Sequence, residues 1–300
     1  MYKSNINLNL YKTFYDVAKC GSISKAAEES YTSQPAISKS IKKLESDLGI
    51  DLFYRKPNGV ELTEKGKELL YYVEKSYSNL LTAERAMVET ENLQKGKLSI
   101  GMPSNLGTFY LFDKVIDFHN KYPNIEIAII TGGTNYLLNL LDSHSVDFIV
   151  DTAPIDLSNN DEMTCRKLKN VKYCFAVKKD TTHVDYKNIK SIKDLEDMPL
   201  ILPVPGTANR KALDEELNKY NVDIKNVINI HTSEMICSFI KKDLGIGYIM
   251  KDFIKSEDSV EIINIKEELP NVDIDIVYNK KFLTTAPRRF IEDYIEYKIN

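Results

Sequence analysis

Ser24-Lys-Ala-Ala-Glu-Glu-Ser-Tyr-Thr-Ser-Gln-Pro-Ala-Ile-Ser-Lys-Ser-Ile-Lys-Lys-Leu-Glu45, followed by Leu52-Phe-Tyr-Arg-Lys56, decides the reading of this chain. The stretch predicts a short helix, a tight turn and a second helix whose outer face is polar and basic. Ser33 is placed to cap the second helix, and Pro35 falls in its first turn, where a missing N–H costs nothing. Ile37, Ile41 and Leu44 recur at i, i+4 and i+7, so one stripe is buried and Gln34, Ser38, Lys39 and Lys42 face elsewhere. Gln can pair with adenine through two hydrogen bonds, Ser can donate or accept, and Lys reaches guanine or phosphate. That is the chemistry of a helix entering the major groove of double-stranded DNA.

The flanks support it. Ser24 is expected to cap the first motif helix, whose Ala26 and Ala27 allow a close helix crossing. Leu52 to Leu62 places an apolar pair, the basic pair Arg55-Lys56, a Pro-Asn-Gly turn and a Val/Leu return in sequence, which predicts a hairpin or wing. Arg55 and Lys56 at its entrance are candidates for gripping phosphate or the minor groove.

Gly21-Ser-Ile-Ser-Lys-Ala-Ala27, Ser33-Gln-Pro-Ala-Ile-Ser38, Ile41-x-x-Leu44-Glu45, Leu48-Gly49, Leu52-Phe53-x-Arg55 and Leu62-Thr63-x-x-Gly66 together resemble the N-terminal domain of LysR-type transcriptional regulators. The resemblance runs without a gap over the first sixty-five residues or so. It implies DNA contacts from Gln34, Pro35, Ser38, Lys39 and Lys42 and from Arg55 on the wing. One departure stands out: where the family has an apolar residue closing the first motif helix, this chain has Ser30, then Tyr31, and Tyr31 is expected to supply the missing packing.

Composition fits a regulator once it is divided. The 300 residues carry a net charge of −4, with 43% hydrophobic and 28% charged residues. Residues 1–65 hold ten Lys or Arg against eight Asp or Glu, which leaves +2 there and −6 in the rest. So small a surplus demands well-placed cations and a dimer that doubles them. No apolar run nears the roughly eighteen residues of a membrane span, and Met1-Tyr-Lys-Ser-Asn lacks a signal-peptide core, so the expectation is a cytoplasmic protein without a membrane partner. Cys20, Cys165, Cys174 and Cys237 have no CxxC spacing, which fits reduced thiols. A thiol redox sensor using Cys165 and Cys174 is a weaker alternative, suggested by the peroxide sensors of the resembled family.

A long helix is expected to start at Thr63. Its apolar residues, among them Leu69, Val73, Tyr77, Leu80 and Met87, recur at steps of three and four and predict a homodimer seam. After Gln94-Lys-Gly-Lys97, short apolar strands alternate with helices, which predicts an α/β region with mostly parallel strands in two lobes. The crossover is expected near residues 161–169, and Asp273–Tyr278 to return to the first lobe. The division is therefore residues 1–62 for an all-α winged helix-turn-helix, 63–93 for a linker helix and 96–300 for a two-lobed effector domain similar to periplasmic solute-binding proteins. Lobe I covers about 96–163 and 267–300, lobe II about 164–266.

In such a domain a small-molecule effector belongs between the lobes, at strand C-termini and helix N-termini. Four loops qualify: Ser104 and Asn105; Thr131, Gly132 and Thr134; Gly206 and Thr207; His231 and Thr232. Hydroxyls and bare N–H groups there suit a small anion, although plain helix capping uses the same residues. Arg210 is the nearest cation. The resemblance further implies a homotetramer and contact with RNA polymerase. No metal-ligand spacing, GxSxG elbow or P-loop points to an enzyme or to a cofactor. A solute-binding module for transport is the other reading, disfavoured by the N-terminal motif.

Overall fold

The computed structural model describes residues 6–57, 59–88, 93–158, 162–255 and 257–295, with the side chains of Val88, Asn105, Thr108 and Phe109 outside that description. The chain divides into two compact units, Met1–Met87 and Val88–Asn300.

The first unit opens with three helices, α1 (Leu8–Cys20), α2 (Ile23–Glu29) and α3 (Gln34–Leu48). Asn7 accepts from the Asn9 N–H at 2.9 Å to start α1, and Gly21 at φ 62° ends it. Ser22, not Ser24, caps α2: its hydroxyl accepts from the Lys25 N–H at 3.4 Å, and Ser24 lies inside the helix. Ser33 caps α3 by accepting from the Ala36 N–H. Phe14, Val17, Ala26, Ala27, Ile37, Ile41, Leu44 and Leu52 are buried together, and the two alanines let the helices approach closely. A hairpin follows, with β1 (Phe53–Lys56) antiparallel to β2 (Gly59–Leu62) and Lys56 paired with Gly59; Asn58 lies outside the described residues.

The backbone explains the rest of the motif. Glu45 accepts from the N–H groups of Leu52 and Phe53 at 2.9 and 3.3 Å and so fixes the wing on α3. Thr63 donates to the Asp51 carbonyl and accepts from the Gly66 N–H, at 2.8 and 2.9 Å, and thereby caps α4 (Glu64–Val88). A Cβ on Gly66 would lie 2.2 Å from the Leu52 carbonyl oxygen, so no larger residue fits.

The second unit alternates strands and helices. Its elements are β3 (Gly96–Met102), α5 (Ser104–Leu106), a π-helical turn, α6 (Phe112–Lys121), β4 (Ile125–Thr131), α7 (Thr134–Asp142), β5 (Phe148–Thr152), β6 (Thr164–Lys178), β7 (Leu200–Pro203), α8 (Ala208–Lys219), β8 (Val227–Ile230), α9 (Ser233–Lys241), β9 (Ile246–Met250), β10 (Val260–Ile262), β11 (Asn271–Tyr278) and α10 (Thr285–Tyr294). The strands run β4-β3-β5-β11-β6-β9-β7-β8, with β10 beside β6.

Pairing is parallel within β4-β3-β5 and within β9-β7-β8. The crossing strands β6 and β11 pair antiparallel, with each other and with their neighbours β9, β10 and β5, so the sheet is more mixed than apolar runs alone suggested. Strand β6 changes partner between Lys172, opposite Asn271 of β11, and Tyr173, opposite Met250 of β9. The lobes therefore exchange at residues 172–173, later than the 161–169 expected. The first half of β6, Thr164-Cys-Arg-Lys-Leu-Lys-Asn170, has a largely polar, exposed surface and gives no apolar signal. The largest apolar cluster among the described residues continues through both lobes, from Leu98 and Phe148 to Leu200 and Tyr248.

Candidate functional site

On α3, Gln34, Pro35, Lys39 and Lys42 are exposed and Ser38 is half-buried, while Ile37, Ile41 and Leu44 face the core. The buried stripe thus forces the polar row outward. The cations differ in their neighbours. Lys43 pairs with Asp47, but Lys39 and Lys42 have no ion-pair partner among the described residues. On the wing, Lys56 lies 3.4 Å from Glu61 on the opposite strand. Arg55 shares the wall of a shallow cavity with Glu45 and Asp51. Lys39 and Lys42 thus carry charge on α3 that no carboxylate among the described residues offsets.

Tyr31 does not replace the missing apolar residue. It is 98% exposed, and the Ser30 hydroxyl turns back to donate to the Ala26 carbonyl at 2.6 Å. The expected packing is absent: Tyr31 sits at φ 51°, in the tight turn between α2 and α3, with its side chain in solvent.

The stripe assigned to a dimer seam splits. Leu69 and Val73 pack on the core of their own domain, and Tyr77 lies 5.5 Å from the Tyr15 ring of α1. Leu80 and Met87, on the continuation of the same stripe, are 57% and 83% exposed. Leu69, Val73 and Tyr77 are thus corrected as seam residues: they pack within their own domain, whereas Leu80, Leu81 and Met87 are exposed.

The loops of the second unit come together in two pairs. In lobe I, Met102 is opposite Thr131, and the Gly132 N–H donates to the Met102 carbonyl at 3.3 Å, so Ser104 and the 131–134 loop are neighbours. In lobe II, Pro203 is opposite Ile230 and the Val204 N–H donates to the Ile230 carbonyl at 3.1 Å, which joins the Gly206–Thr207 and His231–Thr232 loops. Both pairs sit at the C-terminal ends of parallel strands. Asn105 belongs to the turn after β3 by its backbone; its side chain is outside the described residues.

Several side chains in these loops are already spent. Thr232 caps α9 by accepting from the Met235 N–H at 3.3 Å, and the Thr207 hydroxyl donates to the Val204 carbonyl at 3.0 Å. Arg210 reaches Asp214, the Pro203 carbonyl and Asn229 at 2.8, 2.9 and 2.7 Å, so its guanidinium is tied down inside lobe II. Thr134 donates to Asp151 at 2.7 Å. Ser104, Thr131, Gly206 and His231 are exposed.

Asp151 escaped the sequence reading. It ends the apolar run Phe148-Ile-Val, is 1% exposed, and also accepts from the Thr152 N–H at 2.6 Å. Burial pushes its carboxyl above the ordinary range despite those hydrogen bonds. A charge closing an apolar strand was the available signal. Tyr173 and Tyr248 were missed too: their rings stack 5.1 Å apart beneath α8, and burial raises both phenols, Tyr173 to about 12.

The redox alternative fails on distance. Cys165 and Cys174 lie on the one strand β6, which places them roughly 30 Å apart at extended spacing, where a disulfide needs Cα atoms within about 7 Å. Burial also pushes Cys165 to about 11, with Asp275 adding to it, and Cys174 to about 12, which disfavours the thiolate form at both.

Comparison with known proteins agrees with this geometry. Residues 8–67 match the model of the bacterial regulatory helix-turn-helix proteins of the lysR family, and residues 91–297 match the LysR substrate binding domain. A probable RuBisCO transcriptional regulator of Phaeodactylum tricornutum is 27% identical over 289 residues, 93% of each chain. The HTH-type transcriptional regulator YoaU of Bacillus subtilis is 27% identical over 292 residues, 96% of this chain and 97% of its own. A full-length OxyR variant of Pseudomonas aeruginosa superposes with a TM-score of 0.71 at 19% identity, covering 99% of this chain and 96% of that one. Full-length CbnR in complex with its target DNA gives 0.70 at 16% identity, covering 97% and 99%. With a lysR-type helix-turn-helix joined to a LysR substrate binding domain, the chain belongs to the LysR family of transcriptional regulators.

Proposed function

We propose that this regulator reads promoter DNA as a homodimer, with Gln34, Pro35, Ser38, Lys39 and Lys42 in the major groove and Arg55 and Lys56 on the flanking backbone. The observation that carries this is the exposed polar row of α3, whose two cations Lys39 and Lys42 have no carboxylate partner among the described residues. Gln34 and Ser38 specify bases, and the lysines supply the salt-dependent part of the affinity. The protein acts by binding and not by catalysis, as the regulator names of its relatives suggest.

Leu80 and Met87, with exposed Leu81, supply the dimer seam on the free half of α4. Assembly to a tetramer is supported by apolar residues at both outer edges of the large sheet. Phe112, Ile116 and Ile129 flank the β4 edge, and Ile228, Met235 and Leu244 flank the β8 edge. Open strand edges bearing apolar residues invite pairing with another subunit.

The effector binds between the loop pairs of the two lobes. Ser104, Thr131 and Gly132 face it from lobe I, with Thr134 as part of the wall, and Asn105 is a further candidate by its place in the turn after β3. Gly206, Thr207, His231 and Thr232 line lobe II, chiefly through backbone. With Arg210 tied down and Asp151 behind the lobe I wall, a polar neutral ligand suits the cleft better than a strong anion. The ligand favours one lobe arrangement, which alters how the paired winged helices hold the promoter and so the contact with RNA polymerase; a coupling of about 1–3 kcal/mol suffices.

The test is to capture genomic fragments with the purified full-length protein, in excess competitor DNA at physiological salt, and to sequence them. Enrichment of intergenic sites with an interrupted palindrome supports the reading. A folded dimer that enriches no fragment, with or without cell-extract metabolites, defeats it.

A further inference from the structure

The turn between α2 and α3 carries a large side chain that the fold does not use. Every residue from Glu28 to Ala36 is exposed, and Tyr31 at 98% is the most exposed large hydrophobic side chain among the described residues. Its backbone, at φ 51°, lies in the left-handed region that an aromatic residue disfavours and that Gly, Asn and Asp tolerate. Yet the turn is firmly built. The Tyr31 N–H donates to the Glu28 carbonyl at 3.2 Å, the Thr32 N–H to the Ala27 carbonyl at 2.9 Å, and Ser33 caps the next helix. The backbone from which the phenol projects is thus fixed, with no burial of the ring to offset its strain.

Its place in the motif gives it a use. When a helix-turn-helix docks, the first helix crosses the sugar-phosphate backbone and the N-terminus of the second meets base edges. The turn between them lies at the rim of the groove, and Tyr31 precedes Gln34 by three residues. We infer that Tyr31 is a DNA-backbone contact: its O–H donates to a phosphate oxygen while the ring lies against the adjacent deoxyribose. Glu28 and Glu29 flank this rim, and Glu29 accepts from the Cys20 thiol at 3.3 Å. Beside two carboxylates a cation would be partly neutralised, whereas a neutral phenol gains a hydrogen bond without depending on net charge.

That chemistry has a signature. A neutral donor releases no counterion, so removing it weakens all DNA alike and leaves the salt dependence unchanged. Removing Lys42 instead flattens the salt dependence. The inference rests on the DNA-reading role of α3. Wild-type protein that binds no duplex would remove that role, whereas variants that bind like wild type remove only Tyr31's part in it.

The experiment uses full-length Tyr31→Phe, Tyr31→Ala and Tyr31→Asn. The probes are a duplex selected by the wild-type protein and a scrambled duplex of the same composition, titrated by fluorescence anisotropy at several salt concentrations. Phe should lose about fivefold in affinity for both duplexes, and Ala and Asn about tenfold or more, with unchanged salt slopes. Asn, at home in the left-handed conformation, should leave Tm unchanged or raised. Affinity unchanged in all three variants overturns the assignment, and a loss confined to the selected duplex overturns the backbone contact in favour of a base contact. A lowered Tm in Tyr31→Asn shows a packing role and overturns it as well.

Discussion

The reading helix and the effector loops draw on the same vocabulary of small polar residues at helix N-termini, but the two units spend it differently. On α3, Gln34, Lys39 and Lys42 are exposed and keep their polar groups for contact, while Ser33 is used as a cap, Glu45 holds the wing and Lys43 pairs with Asp47. In the loops, Thr134, Thr207, Thr232 and Arg210 are all engaged within their own lobe. The difference follows from geometry. A helix lying on a small core must turn one face to solvent, so its polar side chains stay available. A loop at the end of buried parallel strands must first satisfy its own backbone and the helix it starts. Polar residues on an exposed helix are therefore stronger evidence of contact than the same residues at helix starts.

The comparison can be broken most severely at the core under the reading helix. Leu44→Ala removes a fully buried side chain and should destabilise the first unit by about 2–5 kcal/mol, seen as faster amide exchange in α1–α3 with the second unit unaffected. Coupled loss in both units would mean that they do not melt separately. Leu80→Asp with Met87→Asp should weaken the dimer by about 3 kcal/mol, read by sedimentation, while Tyr77 stays packed; an undiminished dimer puts the seam elsewhere.

Gln34→Ala should relax base preference at one operator position by about 1–3 kcal/mol in a selection experiment, whereas Thr232→Ala should leave base preference alone and slightly destabilise α9. Identical specificity profiles for Gln34→Ala and wild type would sink the readout assignment.

A smaller effect separates wall from ligand contact at Asp151. Because burial raises its pKa, the folded protein holds a proton that the unfolded chain has already released between the two pKa values, so stability falls as pH rises through that window. Asp151→Asn should lose that fall, measured as the wild-type-minus-variant difference in amide-exchange stability of α7 and β5 against pH. Parallel curves would show that Asp151 does not titrate in that window. The least effect is expected from Cys165→Ser with Cys174→Ser: DNA binding before and after peroxide treatment should match wild type. A peroxide response abolished by these replacements would revive the redox reading.

Much of this was legible along the chain. The Ile37, Ile41 and Leu44 period fixed the inner face of α3, and the Leu52–Leu62 pattern announced the wing, because local spacing and turn chemistry suffice for both. Ser22 displaced Ser24 as a cap, an error of the size expected where two serines compete for one helix start. The polar half of β6 hid its strand, since a strand with much of its surface in water carries little apolar signal. The stacked pair Tyr173 and Tyr248 was not legible, because residues from different strands meet only after the sheet has formed.

What the sequence by itself determined is the order of the elements and the two-lobed α/β plan, from the alternation of apolar strands with helices, and the polar row Gln34, Ser38, Lys39 and Lys42 off the buried stripe, from periodicity within one segment. What only the tertiary structure decided is which of those groups remain unspent. That covers the division of the α4 stripe into a part packed on α1 and a bare part, the tying down of Arg210, the separation of Cys165 from Cys174 and the exposure of Tyr31. Each depends on which distant segment lies alongside or on how far one element stretches, and spacing along the chain does not specify what covers a side chain in space.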